Sequence, residues 1–145
     1  MDHPIAHTAD GRPVYDNTPT VVCVLAKHRR GLITVRRSNN PGRGKLGLPG
    51  GFHMRGESWQ EAGCRELKEE TGYIIQPNLL TLLHMTTDEY GHNLVIARYW
   101  GDVSELPTHE VDPEEVQEVV FLQGSDVLTA EWAFPRHAAA AESVI

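Results

Sequence analysis

Runs of β-branched and other apolar residues predict two strands near the start of the chain. Thr18 to Lys27 is one such run and Leu32 to Arg37 is the next, with a turn from His28 to Gly31 between them. Apolar runs of this length bounded by a glycine-containing turn are typical of a hairpin, so the two strands are predicted to pair. The following segment, Ser38 to Gly51, holds five glycines and two prolines and is predicted to be a loop.

The apolar spacing then changes and predicts a helix from Trp59 to about Thr71. Ser58 is followed three residues later by Glu61, which is the capping-box pattern that satisfies backbone donors at a helix start. Gly72 fits the left-handed position that commonly ends a helix.

The second half of the chain returns to strand patterns. Thr81 to Thr86 and Leu94 to Val103 are predicted strands joined by the polar turn from Thr87 to Asn93, and Val116 to Leu122 is a further strand. Pro135, followed by an alanine-rich run, predicts the start of a C-terminal helix. Strands on both sides of a central helix indicate the α/β class, with helices packed on a mixed sheet.

Length and composition limit the number of domains and the setting of the protein. With 145 residues, of which 40% are hydrophobic, one core is expected, in residues 18–145, after a polar leader of residues 1–17. The leader has no apolar stretch of the secretory kind, and the longest apolar run, Val21 to Ala26, is six residues, against about 20 for a membrane span. We expect a cytoplasmic protein with no membrane partner. Cys23 and Cys64 are predicted to be buried thiols.

Charge is distributed unevenly along the chain. The net charge of -7 argues against a nucleic-acid partner, which would need many basic contacts to phosphate. Residues 18–56 nevertheless carry eight Lys or Arg and no acid, whereas the rest of the chain carries five bases and all twenty acids. Such an arrangement suits a metal ion together with a polyanion, although ordinary surface bases would give the same count.

The predicted helix carries a cluster of carboxylates. Glu66 and Glu70 lie one turn apart on the same face, and Glu69 lies beside them. Like charges at this spacing repel one another, so either water screens them or a cation neutralises them. Mg²⁺ prefers oxygen ligands, and the backbone at Gly50 and Gly51 is free to approach an ion because neither residue has a side chain.

The spacing of these residues resembles the Nudix box, whose pattern is G-x5-E-x7-R-E-U-x-E-E-x-G-U with U aliphatic. All seven fixed identities match: Gly51, Glu57, Arg65, Glu66, Glu69, Glu70 and Gly72. Tyr73 stands where the last aliphatic residue is usual, a difference that affects packing behind the helix more than chemistry.

The resemblance implies an α/β/α sandwich with a mixed central sheet and a hydrolase that cleaves a diphosphate in a nucleoside diphosphate linked to another moiety. It implies Mg²⁺, with Mn²⁺ as a substitute. The residues that it marks are the metal ligands Glu66, Glu69, Glu70 and the Gly50 carbonyl, the catalytic Glu66, Arg65 and Glu69, and the supporting Gly51, Glu57 and Gly72. Glu66 is the first candidate for the general base, and four later acids are alternatives: Glu89, Glu114, Glu115 and Glu118.

Substrate contacts are expected outside the box. Phosphate contacts are predicted for four basic residues: Arg36, Arg37, Arg43 and Lys45. Tyr90 is interpreted either as a stacking partner for a base or as an ordinary aromatic residue in a turn, and Trp132 to Pro135 as core packing. The expected substrate is a small nucleotide resembling ADP-ribose or a dinucleoside polyphosphate, and the expected assembly is a homodimer. A catalytically silent nucleotide-sensing domain and a protein-interaction domain are the alternatives.

Overall fold

The computed structural model describes residues 2–145. Its strands are β1 (Ala6–His7), β2 (Pro13–Val14), β3 (Thr20–Leu25), β4 (Lys27–His28), β5 (Gly31–Arg37), β6 (Leu46–Gly47), β7 (Gly50–Phe52), β8 (Leu80–Thr87), β9 (Asn93–Tyr99) and β10 (Val116–Leu122). Its helices are α1 (Trp59–Thr71), α2 (Asp126–Thr129) and α3 (Pro135–Glu142), with a 3-10 turn at Pro77–Leu79. No helix in residues 2–145 is both long and apolar enough to cross a bilayer.

Two four-stranded sheets carry the fold. One has the order β7-β3-β9-β8 and is mixed, because β3 and β9 run parallel whereas the other pairs are antiparallel. The other is antiparallel, with β5 between β10 and β4 and with β6 also pairing with β5. In the leader, β1 and β2 form a separate two-stranded sheet. The predicted α/β class with a mixed sheet is confirmed.

The predicted pairing of Thr18–Lys27 with Leu32–Arg37 is wrong. β3 pairs with β7 and β9, while β5 lies in the other sheet. Only the two residues of β4 turn back onto the start of β5. The physical reason is that β3 is covered on both faces and takes distant strands as neighbours, a choice that local turn chemistry does not encode.

Helices cover the mixed sheet on both faces. Successive side chains of β3 point alternately into two hydrophobic cores, one on each face of the sheet. Val22 and Val24 face the core beneath α1, where Gly63 packs so closely that an added Cβ would lie 3.0 Å from a Val24 methyl group. Cys23 and Leu25 face the second core, which is closed by residues of α2 and α3. These layers form the α/β/α sandwich, with the strands buried between them.

Local signals placed α1 correctly. The helix spans Trp59–Thr71, Ser58 and Glu61 form the reciprocal capping box, and Gly72 adopts φ 79° at the C-terminal end. Val116–Leu122 is also a strand as predicted. The predicted loop Ser38–Gly51 is partly wrong, since it contains β6 and the start of β7. These strands are two and three residues long, too short for a hydrophobic period to be visible.

His137 on α3 joins three parts of the fold. Its Nδ1 accepts a hydrogen bond from the backbone N–H of Leu48 at 3.0 Å, and its Nε2 lies 3.6 Å from Cys23 Sγ. The side chain is buried, and burial lowers the pKa of His137 to about 4, with a further contribution from Arg37. The imidazole is therefore neutral in the folded protein at neutral pH.

This burial predicts a loss of stability in mild acid. The unfolded chain takes up a proton on His137 near pH 6.5, whereas the folded chain does so only near pH 4. Stability should therefore fall as the pH decreases between these values, by about 3 kcal/mol in all. His137→Gln keeps an acceptor for Leu48 and should lose less stability between pH 7 and 4.5 in urea unfolding. Equal losses for both proteins would contradict the assignment.

Candidate active site

The edge strand β7 lies beside the acidic face of α1. Gly50 lies opposite Cys23 in the antiparallel pairing of β7 with β3. The backbone hydrogen bonds of this pairing are made by residues on either side of Gly50: Val24 N–H donates to Pro49 O, and His53 N–H donates to Thr20 O. The N–H and C=O of Gly50 therefore point away from β3. The N–H donates to Glu70 Oε1 at 3.1 Å, so the free edge of β7 faces the carboxylates of the helix.

Both glycines of β7 are needed for this approach. A Cβ at Gly50 would collide with the backbone oxygen of Val22 and lie 2.7 Å from the Cα of Cys23. A Cβ at Gly51 would lie 2.5 and 2.6 Å from the two carboxylate oxygens of Glu66. The predicted supporting position of Gly51 thus has a steric cause, and the same cause applies to Gly50.

Arg65 connects the carboxylates of the motif. Its guanidinium donates twice to Glu57, at 2.9 and 2.7 Å, once to Glu66 at 3.0 Å, and to Glu69 at 3.3 Å. It also donates to the carbonyl of Phe52 at 3.0 Å. Hydrogen bonding to Glu57 is the main reason that the pKa of Arg65 is raised, and the same bonds lower the pKa of Glu57 to about 2.

Glu66 and Glu70 differ from Glu69 in their surroundings. Burial raises the pKa of Glu66, although Arg65 opposes the rise, and burial together with the charge of Glu66 raises the pKa of Glu70 to about 8. Glu69 is 54% exposed and contacts Arg65. Among residues 2–145, no three acidic, His or Cys side chains are gathered as a preformed metal cluster, so the predicted convergence of three carboxylates is only partly present.

The donor groups here still suit a divalent cation. Burial disfavours the charged form of both Glu66 and Glu70, and a neighbouring carboxylate adds to this in each case, Glu69 at Glu66 and Glu66 at Glu70. Glu70 receives its hydrogen bonds from the backbone of Gly50. Carboxylate and carbonyl oxygens are the ligands that Mg²⁺ prefers, and a cation between them would offset the repulsion.

A cavity of about 330 Å³ opens beside these carboxylates. Its floor includes Gly50, Gly51 and Glu70, and its wall includes the predicted substrate residues Arg37 and Tyr90. This volume lies at the small end of the range for ligand pockets, roughly 300–1,000 Å³. The cavity is therefore a space next to the motif in which a small substrate would fit.

The other predicted phosphate contacts lie elsewhere. Arg36 points to the opposite face of β5 from Arg37, as the alternation of a strand requires, and pairs with Glu118 at 2.8 Å. Arg43 lines a separate surface depression with Ser38 and Gln117, among others, and Lys45 is exposed. Arg37 is thus the one of the four predicted phosphate contacts that lines this cavity, and phosphate contact by the other three stays a prediction.

Several cavity residues were missed because they come from the start of α3. Phe134 and Arg136 line the cavity with His137. Phe134 meets Tyr90 edge to face with 5.7 Å between centroids, and Arg136 pairs with Glu89 at 3.1 Å. The interpretation of Trp132 to Pro135 as core packing holds for Trp132, which packs on the second core, and fails for Phe134. Phe134 and Arg136 flank Pro135 at the predicted helix start, and this was the available signal.

The four carboxylates named as alternative general bases have different surroundings. Glu89 and Glu118 are engaged by Arg136 and Arg36, respectively. Glu114 lines the depression with Arg43. The charge of Glu115 contributes to raising the pKa of both Glu66 and Glu70, which makes it the loop carboxylate electrostatically coupled to the pair.

Comparison with known proteins agrees with the fold and with the motif. The NUDIX domain family model matches residues 16–142, so the chain belongs to the Nudix family. Among solved structures, a NUDIX hydrolase from Nitrosomonas europaea superposes with a TM-score of 0.71 at 21% identity, covering 88% of each chain. The NUDIX domain of Shewanella oneidensis NrtR, complexed with ADP ribose, gives 0.67 at 24% identity, covering 90% of this chain and 88% of that one.

Similar sequences extend the comparison. An ADP-ribose pyrophosphatase from Methanocaldococcus jannaschii is 42% identical over 69 residues, which is 45% of this chain and 40% of that protein. A putative nudix hydrolase 2 from Caenorhabditis elegans is 29% identical over 136 residues, 86% of this chain and 56% of that protein. The chain thus spans about half the length of the curated relatives it matches.

The two glycines of β7 should respond differently to alanine. Gly50→Ala collides with the backbone of β3 and should lower the free energy of unfolding by about 3 kcal/mol. Gly51→Ala meets only the end of the Glu66 side chain, which can rotate away, so the loss should stay within about 1 kcal/mol. Urea unfolding of both variants measures this contrast, and a Gly51 variant that is the less stable of the two would refute it.

Proposed function

We propose that this protein hydrolyses the diphosphate of a nucleoside diphosphate linked to another moiety, with an ADP-ribose-like compound as the substrate and a divalent metal ion as the cofactor. The observation that carries the proposal is the pair of partly buried carboxylates, Glu66 and Glu70, beside the glycine strand β7, where Glu70 and both glycines line the 330 Å³ cavity. We propose residues 18–145 as the single catalytic domain. Homodimer formation stays a prediction.

The substrate class rests on the cavity and on the relatives. The Methanocaldococcus jannaschii relative is named an ADP-ribose pyrophosphatase, and the Shewanella oneidensis domain was solved with ADP ribose. Glu70 lines the cavity together with three aromatic residues, Phe52, Tyr90 and Phe134. This arrangement suits a ligand that carries a phosphate group at one end and a flat group at the other.

In the proposed reaction, the oxygen of a water molecule attacks one phosphorus atom as the bond from that phosphorus to the bridging oxygen breaks. With ADP-ribose the products are AMP and ribose 5-phosphate. Glu66 is the first candidate to accept the proton of the water, and Glu115 is the second because its charge acts on the same pair. Arg65 positions Glu66 and Glu69, and Glu57 holds Arg65 in place.

Glu66, Glu69, Glu70 and the carbonyl of Gly50 would hold the metal ion, and Mg²⁺ suits these oxygen ligands, with Mn²⁺ as a substitute. A bound divalent ion supplies positive charge that offsets the charge of the diphosphate and polarises its phosphorus. The guanidinium carbon of Arg37 lies 5.0 Å from the centroid of the Phe134 ring at the cavity wall. Arg37 is the basic residue best placed to contact the substrate phosphates.

A nucleotide-sensing domain is the alternative function. It would use the same cavity to bind a nucleotide without cleaving it. A protein-interaction domain is the other alternative, and it would use the acidic surface from Glu105 to Glu118. The ion pairs that Arg65 makes with Glu57, Glu66 and Glu69 favour the enzyme, because a domain that only binds a nucleotide has no need of them.

Glu66→Gln and Glu70→Gln should each lower kcat/KM by roughly 100-fold or more, because each removes a charge that the proposed reaction needs. The measurement is product release from ADP-ribose, diadenosine tetraphosphate, NADH, nucleoside triphosphates and sugar nucleotides with Mg²⁺ present. Glu142→Gln, an exposed carboxylate of α3, is the matched control and should retain wild-type rates. Binding of ADP-ribose by folded wild-type protein without turnover of any compound would favour the sensor.

Removal of divalent ions should abolish turnover, and addition of Mg²⁺ or Mn²⁺ should restore it. Independently of activity, Mg²⁺ should raise the thermal midpoint of the wild-type protein, since a ligand that binds the folded state stabilises it. The increase should be smaller in the Glu66→Gln, Glu70→Gln double variant and unchanged in Glu142→Gln. Full activity in excess EDTA would reject the metal requirement.

A further inference from the structure

Asp88 lies where β8 ends and lines the cavity at the turn into β9. Its Oδ1 accepts hydrogen bonds from the backbone N–H groups of Tyr90 at 3.0 Å and His92 at 2.9 Å. The nearest basic nitrogen to Oδ2, Nδ1 of His92, is 3.8 Å away, which is beyond hydrogen-bonding distance. One oxygen of the carboxylate therefore organises the turn, and the other has no hydrogen-bond donor within residues 2–145.

The oxygen Oδ2, which accepts no hydrogen bond, is not completely buried. The Asp88 side chain is only 9% exposed, yet in the described part of the chain no fully buried side-chain oxygen or nitrogen lacks a partner. Oδ2 must therefore be accessible, and the cavity is the space that Asp88 lines. A carboxylate oxygen in such a confined place gains from a donor that a ligand brings with it.

The surroundings restrict what that donor is. The cavity is lined by Arg37 and Arg136 as well as by Glu70 and Glu89, but an anionic ligand group placed directly against Asp88 would be repelled by that carboxylate itself. The aromatic rings of Phe52, Tyr90 and Phe134 border the space, and two of them already make an edge-to-face contact. A flat, uncharged group with an N–H at its edge satisfies both conditions, and a nucleobase with an exocyclic amino group is such a group.

We infer that Asp88 determines base specificity, with Oδ2 accepting a hydrogen bond from the exocyclic amino group of a nucleobase that lies in the cavity. The inference rests on the proposed function for its substrate, and it adds which end of that substrate enters the cavity. With ADP-ribose the donor is the 6-amino group of adenine, while the diphosphate lies toward Glu66 and Glu70.

The test compares ADP-ribose with its analogue in which hydrogen replaces the 6-amino group of the purine. Wild-type protein should favour ADP-ribose by roughly 10- to 100-fold in kcat/KM, mainly through KM, because the contact does not change during the reaction. Asp88→Asn should reduce this ratio to about threefold or less. The asparagine keeps an oxygen to accept from Tyr90 and His92, so the turn should remain folded.

Asp126→Asn is the matched control, since it removes a carboxylate charge at the N-terminus of α2, away from the cavity. It should keep the wild-type ratio. The inference would be overturned if the wild-type protein hydrolysed both compounds with equal kcat/KM. It would also be overturned if Asp88→Asn kept the wild-type ratio, for example by losing kcat/KM equally on both compounds. In each case hydrolysis itself would still be observed.

Absence of any hydrolysis would instead reject the proposed function. Calorimetry would then measure the affinity of the protein for AMP and for purine riboside 5′-monophosphate. Tighter binding of AMP in the wild-type protein that disappears in Asp88→Asn would support the role of Asp88. Equal binding of the two nucleotides by the wild-type protein would overturn it.

Discussion

Two adjacent glycines allow β7 to lie close to β3 on one side and to the carboxylates of α1 on the other. A side chain at Gly50 would push the strand away from Cys23, and one at Gly51 would displace Glu66. Because the strand lies at a sheet edge, the peptide groups that do not bond to β3 are free to face the helix. The positions of Glu66 and Glu70 beside this strand depend on the close approach.

Arg65 then holds the carboxylates in an arrangement that their charges alone would oppose. Its guanidinium group contacts Glu57, Glu66 and Glu69 and so keeps three carboxylates close together. The bidentate bond to Glu57 fixes the guanidinium plane, and the remaining donors reach the helix face. Glu70 lies outside this network, and burial raises its pKa to about 8.

The far side of the cavity is built from segments remote from the motif. The turn between β8 and β9 contributes Asp88 and Tyr90, and the start of α3 contributes Phe134 and Arg136. The ring contact and the ion pair between these segments hold the cavity wall together. The proposed base contact and the proposed phosphate chemistry therefore lie on different elements, which would allow one to vary without the other.

The sequence by itself determined α1, its capping box, its terminal glycine and the family motif, because all of these depend on residues within one helix and its adjoining strand. The tertiary structure decided which strands pair with β3, since partner choice depends on burial of both faces by distant segments. It also decided that Arg37 reaches the cavity while Arg36 does not, because strand alternation assigns faces only after the sheet is placed. Phe134 and Asp88 join the site for the same reason, as the packing of α3 and the β8–β9 turn brings them to one cavity.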